Sequence, residues 1–221
     1  MKLNQLAATT GASTATIKYW IREQILPPGA LRNQTTAVYD TAHVHRIHLI
    51  RTLRERFDQP IADIRHLTGM LDDHTVPMVT VMDACQHIAA GLGGGDANPD
   101  TDSDTDASPH HDIVRDLLHL TGWPDVSSTA RAALVDTLRE VDEDGAPYSA
   151  DRLTTYATAL AGIAQEDLAY VSDTNTDNTE EPHRDEIARR VLIGTRAQTR
   201  VLLAMNNLAH ASAAIRRGME A

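Results

Sequence analysis

Residues 3–26, LNQLAATTGASTATIKYWIREQIL, constrain the fold more than any other stretch of the sequence. They predict two short helices, because apolar residues recur at helical spacing on both sides of Gly11. Glycine readily adopts the left-handed backbone conformation that such a tight turn requires. Ser13 or Thr14 can then cap the second helix by accepting a backbone N–H. This arrangement is typical of a helix-turn-helix, whose second helix enters the major groove of DNA.

The segments that follow the two helices extend this outline. Residues 27–40 form a loop whose prolines end the second helix, and its length suits a small wing in which residues 31–33 pair with residues 37–39. The apolar spacing then predicts three further helices, at about residues 41–57, 60–71 and 77–92.

In this order and at these separations, the motifs resemble the N-terminal domain of the MerR family of winged-helix transcription regulators. The matching segments are MKLNQLAATTGAS, TATIKYWIREQILPP, VYD and HVHRIHLIRTLRE followed by IADIR. The resemblance covers residues 1–71 and implies that the second helix reads the major groove, while the wing and the third and fourth helices grip phosphates. The residues expected to contact DNA are Ser13, Thr14, Thr16, Lys18, Tyr19, Arg22, Arg32, Asn33, Gln34, Arg51 and Arg54.

The resemblance also implies the partners. Family members bind inverted repeats of double-stranded DNA as homodimers, and many distort the DNA between promoter elements, so RNA polymerase and a small-molecule effector are further expected partners. One alternative stays open, because residues 35–37 are Thr-Thr-Ala where the family usually has Gly-Tyr-Arg, and Asp58 places a carboxylate beside the expected phosphate. A protein-interaction adaptor, whose winged helix no longer reads DNA, would fit these departures.

The charge of the chain is divided unevenly along its length. The 221 residues carry a formal charge of −11, yet residues 1–92 carry nine basic and eight acidic residues, which leaves −12 for the remainder. Only the first part could approach a polyanion, so the rest is expected to face away from DNA. We expect a cytoplasmic protein, because no run approaches the roughly 20 apolar residues of a membrane span and no signal-peptide core is present.

The apolar spacing and the resemblance together imply a mainly α fold, with an N-terminal winged helix-turn-helix and its small β wing followed by an all-helical C-terminal domain. Residues 1–92 would form the DNA-binding domain, and residues 93–109 a flexible acidic linker without large apolar residues. Residues 110–221 would form a dimerisation or sensing domain of four helices. The last of these carries a heptad-like seam and is expected to be the centre of that domain: Ile187, Val191, Gly194, Gln198, Val201, Met205, Leu208, Ser212 and Ile215.

No catalytic motif, cofactor site or metal site emerges from the sequence, so we expect a regulator without enzymatic activity. His43 and His45 point about 200° apart on a helix, so His43, His45 and His48 do not converge on one ion. Cys85 is the only cysteine and lies on an apolar helix face, which predicts a buried, inert thiol. Four aromatic residues of the second half could pack in the core or line a ligand cavity: Trp123, Tyr148, Tyr156 and Tyr170.

Overall fold

The computed structural model describes residues 1–33, 36–91, 108–173 and 182–220. The chain divides into two compact units, Met1–Ala90 with Pro182–Ala221, and Gly91–Glu181. The predicted mainly α class is confirmed, and no described helix is long and apolar enough to cross a membrane. The elements are α1 Leu3–Thr10, α2 Thr14–Arg22, β1 Ala30–Asn33, β2 Thr36–Val38, α3 Thr41–Phe57, α4 Ile61–Asp72, α5 Met78–Ala90, α6 Pro109–Thr121, α7 Thr129–Glu143, α8 Ala150–Asp173 and α9 Arg184–Glu220.

The turn between α1 and α2 forms as the sequence predicts. Gly11 has φ of 69° and ends α1, and its backbone N–H donates to the carbonyl of Ala7. Ser13 caps α2, because its side chain accepts a hydrogen bond of 3.0 Å from the backbone N–H of Thr16. The predicted wing is also present, with β1 and β2 antiparallel and Leu31 opposite Ala37. Both features arise from local sequence signals.

Helix α3 is the centre of the first unit. Asp40 caps its start, and Ile47, Ile50 and Leu53 are fully buried along its inner face, as their helical spacing predicts. Leu6 of α1 belongs to the same buried cluster. Packing of the short N-terminal helices on α3 therefore fixes the helix-turn-helix on a rigid support.

The sequence placed α9 at the centre of the C-terminal domain, and the structure differs. α9 packs on α3 and α5, and Ala188, Val191 and Leu192 are buried in the same cluster as Ile47. The heptad-like spacing correctly indicated an apolar face, but spacing cannot specify which helices cover it. The first unit is therefore built from two separate parts of the chain.

This division changes the distribution of charge. The first unit holds sixteen basic and eleven acidic residues, a formal charge of +5, because residues 182–221 add seven basic and only three acidic side chains. Residues 91–181 hold four basic and twenty acidic residues, a formal charge of −16. The contrast is stronger than the split at residue 92 indicated, and it leaves the first unit net positive.

The second unit contains α6, α7 and α8 around a small core of Val114, Val135 and Leu138. Tyr156 and Leu160 on α8 are 46% and 41% exposed, so neither side chain packs in this core. With α9 in the other unit, α8 has fewer neighbours here, and its buried residue is the small Ala157. The side chains of Leu168 and Tyr170, and most of the expected linker 93–109, lie outside the described residues.

Candidate nucleic-acid interface

The outer face of α2 carries the expected recognition residues. Ile17 and Trp20 are buried on the opposite side of the helix, and this burial turns Lys18, Tyr19 and Arg22 outward. The guanidinium of Arg22 lies 5.3 Å from the centre of the Tyr19 ring, which is a cation–π distance. The face therefore presents an aromatic ring and two cations to solvent, a combination suited to phosphates and base edges.

The hydroxyl residues at the start of α2 have a different position. The side-chain oxygens of Ser13 and Thr16 form a hydrogen bond of 2.8 Å, and the Ser13 oxygen also caps the helix. Thr14 is the first helical residue and is half-buried. These hydroxyls lie at the positive end of the helix dipole, where a DNA phosphate would also be favoured.

An ion pair that the sequence did not indicate holds the other end of α2. Arg65 of α4 donates from its Nε to the carbonyl oxygen of Glu23 at 3.0 Å and from its terminal nitrogen to the Glu23 carboxylate at 3.0 Å. Arg65 and Glu23 are 42 positions apart, so no local pattern could have shown this contact. The bond fixes the residue that follows α2 and thereby orients the recognition helix.

Gly29, just before β1, packs closely against the residues at the end of β2. A Cβ atom at Gly29 would lie 2.9 Å from both the Tyr39 ring and the Val38 carbonyl oxygen, so only glycine fits there. Arg32 and Asn33 lie in β1, which is where the sequence placed the wing contacts. Their side chains, and the whole of Gln34, are outside the described residues, so these three assignments stay predictions.

The two arginines expected to grip flanking phosphates both make contacts within the first unit. Arg51 donates to the carbonyl oxygen of Thr10 and to the Glu55 carboxylate, each at 2.8 Å. Arg54 donates to the carbonyl oxygen of Gln59 at 2.9 Å, in the turn that precedes α4. A phosphate at Arg51 would therefore share a guanidinium that already contacts the helix-turn-helix, and a phosphate at Arg54 would share one that contacts the turn between α3 and α4.

Arg46 of α3 is a cation that the structure buries. Its guanidinium donates to Asp185 of α9 and Asp72 of α4, the latter at 2.6 Å, and also reaches the carbonyl of Ile25. Burial opposes the charge, but the hydrogen bonds that Arg46 donates to Asp72 and Asp185 outweigh it and hold the pKa of Arg46 above its ordinary value. Arg46 therefore joins three elements instead of contacting DNA.

Cys85 is buried on α5, and this burial raises the pKa of its thiol to about 12. Because the thiolate is the nucleophile, we expect no reaction with a disulfide reagent in the folded protein at pH 8, whereas full reaction should follow in denaturant. Absorbance of the released thiol measures both states. Rapid labelling of the folded protein would contradict the buried position.

Within the described parts of the chain, no group of three or more His, Cys, Asp or Glu could hold a metal ion.

Comparison with known proteins places these features in a family. Residues 1–71 match the family described as MerR HTH family regulatory protein. The N-terminal domain is a MerR-family helix-turn-helix domain. A solved structure of a candidate transcriptional regulator from Streptomyces coelicolor A3(2) is similar to the whole chain, with a TM-score of 0.59 and 26% sequence identity. The similarity covers 98% of this chain and 97% of that one.

No curated protein sequence gives a significant match. The MerR-family domain and the structural relative together support a DNA-binding regulator.

Proposed function

We propose that the protein is a MerR-type transcription regulator that binds an inverted-repeat operator as a homodimer. The outer face of α2 carries the proposal, because it exposes Lys18, Tyr19 and Arg22 on a unit with a formal charge of +5. Lys18, Tyr19 and Arg22 would make the central contacts, together with Thr14. Arg32, Asn33 and Gln34 of the wing and Arg51 and Arg54 of α3 would add flanking contacts.

The second half of α9 supports dimerisation. Val201, Met205, Leu208 and Ile215 are exposed, and their spacing places them on one stripe of the helix. Such a stripe of large apolar side chains on a soluble protein commonly marks a protein–protein interface. We propose that it pairs with the same stripe of a second copy, so that two DNA-binding units face two half-sites. RNA polymerase at the promoter and a small-molecule effector would be the further partners.

Fluorescence anisotropy with duplex from the upstream region of the protein's own gene tests this proposal. We expect binding that resists a scrambled competitor, with two chains per duplex. Equal affinity for the scrambled duplex would instead favour the adaptor, which would use the −16 unit to bind a basic partner protein. A pull-down of partner proteins would then be the next experiment.

The salt dependence of binding tests the recognition helix itself. We expect Lys18→Ala to weaken operator binding and to reduce the slope of log affinity against log salt by about 0.9 per chain, because one phosphate contact is lost. Arg115→Ala is the matched control, since it removes an exposed cation from the other unit. An unchanged slope in Lys18→Ala would show that α2 does not contact the backbone of DNA.

A further inference from the structure

A second cationic site lies on the same unit, away from α2. A cavity of about 320 Å³ opens between the end of α3 and the middle of α9. Its volume lies at the lower end of the range for small-molecule sites, roughly 300–1,000 Å³. The lining residues are Glu55, Arg56, Phe57, Ile193, Arg196, Ala197 and Arg200. We propose that this cavity, here named the α3–α9 pocket, binds a small aromatic anion.

The charge of the α3–α9 pocket favours an anion. Arg56, Arg196 and Arg200 contribute three positive charges, and within the described residues none of them pairs with a carboxylate. Glu55 is the one acid in the lining, and its carboxylate is already bound by Arg51 at 2.8 Å. Guanidinium groups bind carboxylate and phosphate oxygens with paired hydrogen bonds. The pocket lining therefore carries a formal charge of +2, which favours an anionic ligand.

The geometry of Arg196 makes the pocket partly preorganised. Its guanidinium lies 5.2 Å from the centre of the Phe57 ring and donates to the carbonyl oxygen of Arg56. These two contacts hold a half-buried cation in place before any ligand arrives, which lowers the entropy cost of binding. A ligand would therefore meet the half-buried guanidinium of Arg196 and the exposed guanidiniums of Arg56 and Arg200.

The remaining wall of the pocket is apolar, and it favours a small aromatic anion over a DNA phosphate as the occupant. Phe57, Ile193 and Ala197 provide a surface on which a flat ring can lie. A DNA phosphate offers charge but no ring to fill such a wall, whereas an aryl phosphate or aryl carboxylate offers both. The occupant that fits best is therefore a small molecule of one ring, with a single anionic group directed at the arginines.

A bound ligand would join the end of α3, which supports the helix-turn-helix, to the helix that carries the exposed apolar stripe. The regulatory meaning of the site rests on the proposed function, since it requires that α9 dimerises and that α2 binds DNA. Binding of the ligand does not rest on it and can be measured without DNA.

Calorimetric titration of the full chain with phenyl phosphate, benzoate and inorganic phosphate tests the site. We expect both aromatic anions to bind more tightly than inorganic phosphate. Arg200→Gln should weaken phenyl phosphate binding by about tenfold or more, because a charge-assisted hydrogen bond is lost. Arg216→Gln, on the same helix but outside the pocket lining, should leave it unchanged. Ala197→Leu should also weaken binding while retaining every charge, and thermal melts would verify that each variant is folded.

Three outcomes would overturn the proposal. The first is equal affinity for phenyl phosphate and inorganic phosphate, which would mean that the apolar wall is not used. The second is unchanged phenyl phosphate binding in folded Arg200→Gln and Ala197→Leu. The third is an Arg200→Gln variant that loses operator affinity while binding phenyl phosphate normally, which would assign the cations to DNA. Loss of operator binding in the unaltered protein would overturn only the proposed function, since ligand binding is measured separately.

Discussion

Replacing Asp185 with alanine is expected to lower the free energy of unfolding of the first unit by about 3 kcal/mol. Removal of one member of a buried ion pair typically costs about 3–5 kcal/mol, because the other charge stays buried without its partner. The lower end applies because Asp72, whose side chain is half exposed, continues to accept from Arg46. Asp185 itself is 1% exposed and lies at the start of α9, so its loss should also loosen α9 from α3.

Denaturation in urea, followed by tryptophan fluorescence, measures this effect. The chain has two tryptophans, Trp20 in the first unit and Trp123 in the second, so a Trp123→Phe background restricts the signal to the first unit. Asp72→Ala is the matched control. It should lower the free energy of unfolding less than Asp185→Ala does, since the Asp72 carboxylate is half exposed and already solvated by water. Joint replacement by Arg46→Met and Asp185→Leu should recover most of the loss. A loss below about 1 kcal/mol in Asp185→Ala would show that the buried pair does not hold α9 in place.

Replacing Leu208 with glutamate is expected to convert the proposed dimer to a monomer. Leu208 is 66% exposed on the proposed seam, and pairing with a second copy would bury a carboxylate there, which costs several kcal/mol unless the carboxylate is neutralised. A monomer engages one half-site at a time and loses the avidity of two linked contacts. We therefore expect operator affinity to fall by about a hundredfold or more.

Leu203→Glu is the matched control for this experiment. Leu203 lies on the same helix and is 62% exposed, but helical geometry places it on the side of α9 opposite Leu208. Sedimentation equilibrium should give a monomer for Leu208→Glu and a dimer for Leu203→Glu, and anisotropy should show the affinity loss only in the first. A dimer of Leu208→Glu, or a monomer of Leu203→Glu, would place the interface elsewhere.

The features that the sequence predicted correctly depend on short-range signals. Gly11, Ser13 and Asp40 mark a turn and two helix starts, and each acts within four residues of its own position. The partner of α9 depends instead on a contact between Arg46 and Asp185, which are 139 positions apart. Periodicity identified the apolar face of α9, but a single sequence does not show which helices pack together when they are so far apart along the chain.

The same limit applies to the functional sites. The outward face of α2 could be predicted, because Ile17 and Ile21 recur at helical spacing on the other face, and Ile17 is fully buried. The sequence could not show that Arg46 is buried, since a cation at that spacing usually faces solvent. The cations of the α3–α9 pocket could not be predicted either. Arg196 and Arg200 form a site only because α9 packs beside the end of α3, and the sequence does not show that contact.

The return of α9 to the first unit has a consequence for how the chain folds during synthesis. Ribosomes add about 5–20 residues per second, so Asp185 follows Arg46 by roughly 7–30 s. Throughout that interval α3 and α5 lack the helix that covers them, and the Arg46 guanidinium lacks its buried carboxylate. Residues 91–181 can form their own compact unit in the meantime. The first unit, which contains the N-terminal helices, is therefore completed last, although its N-terminal part is translated first.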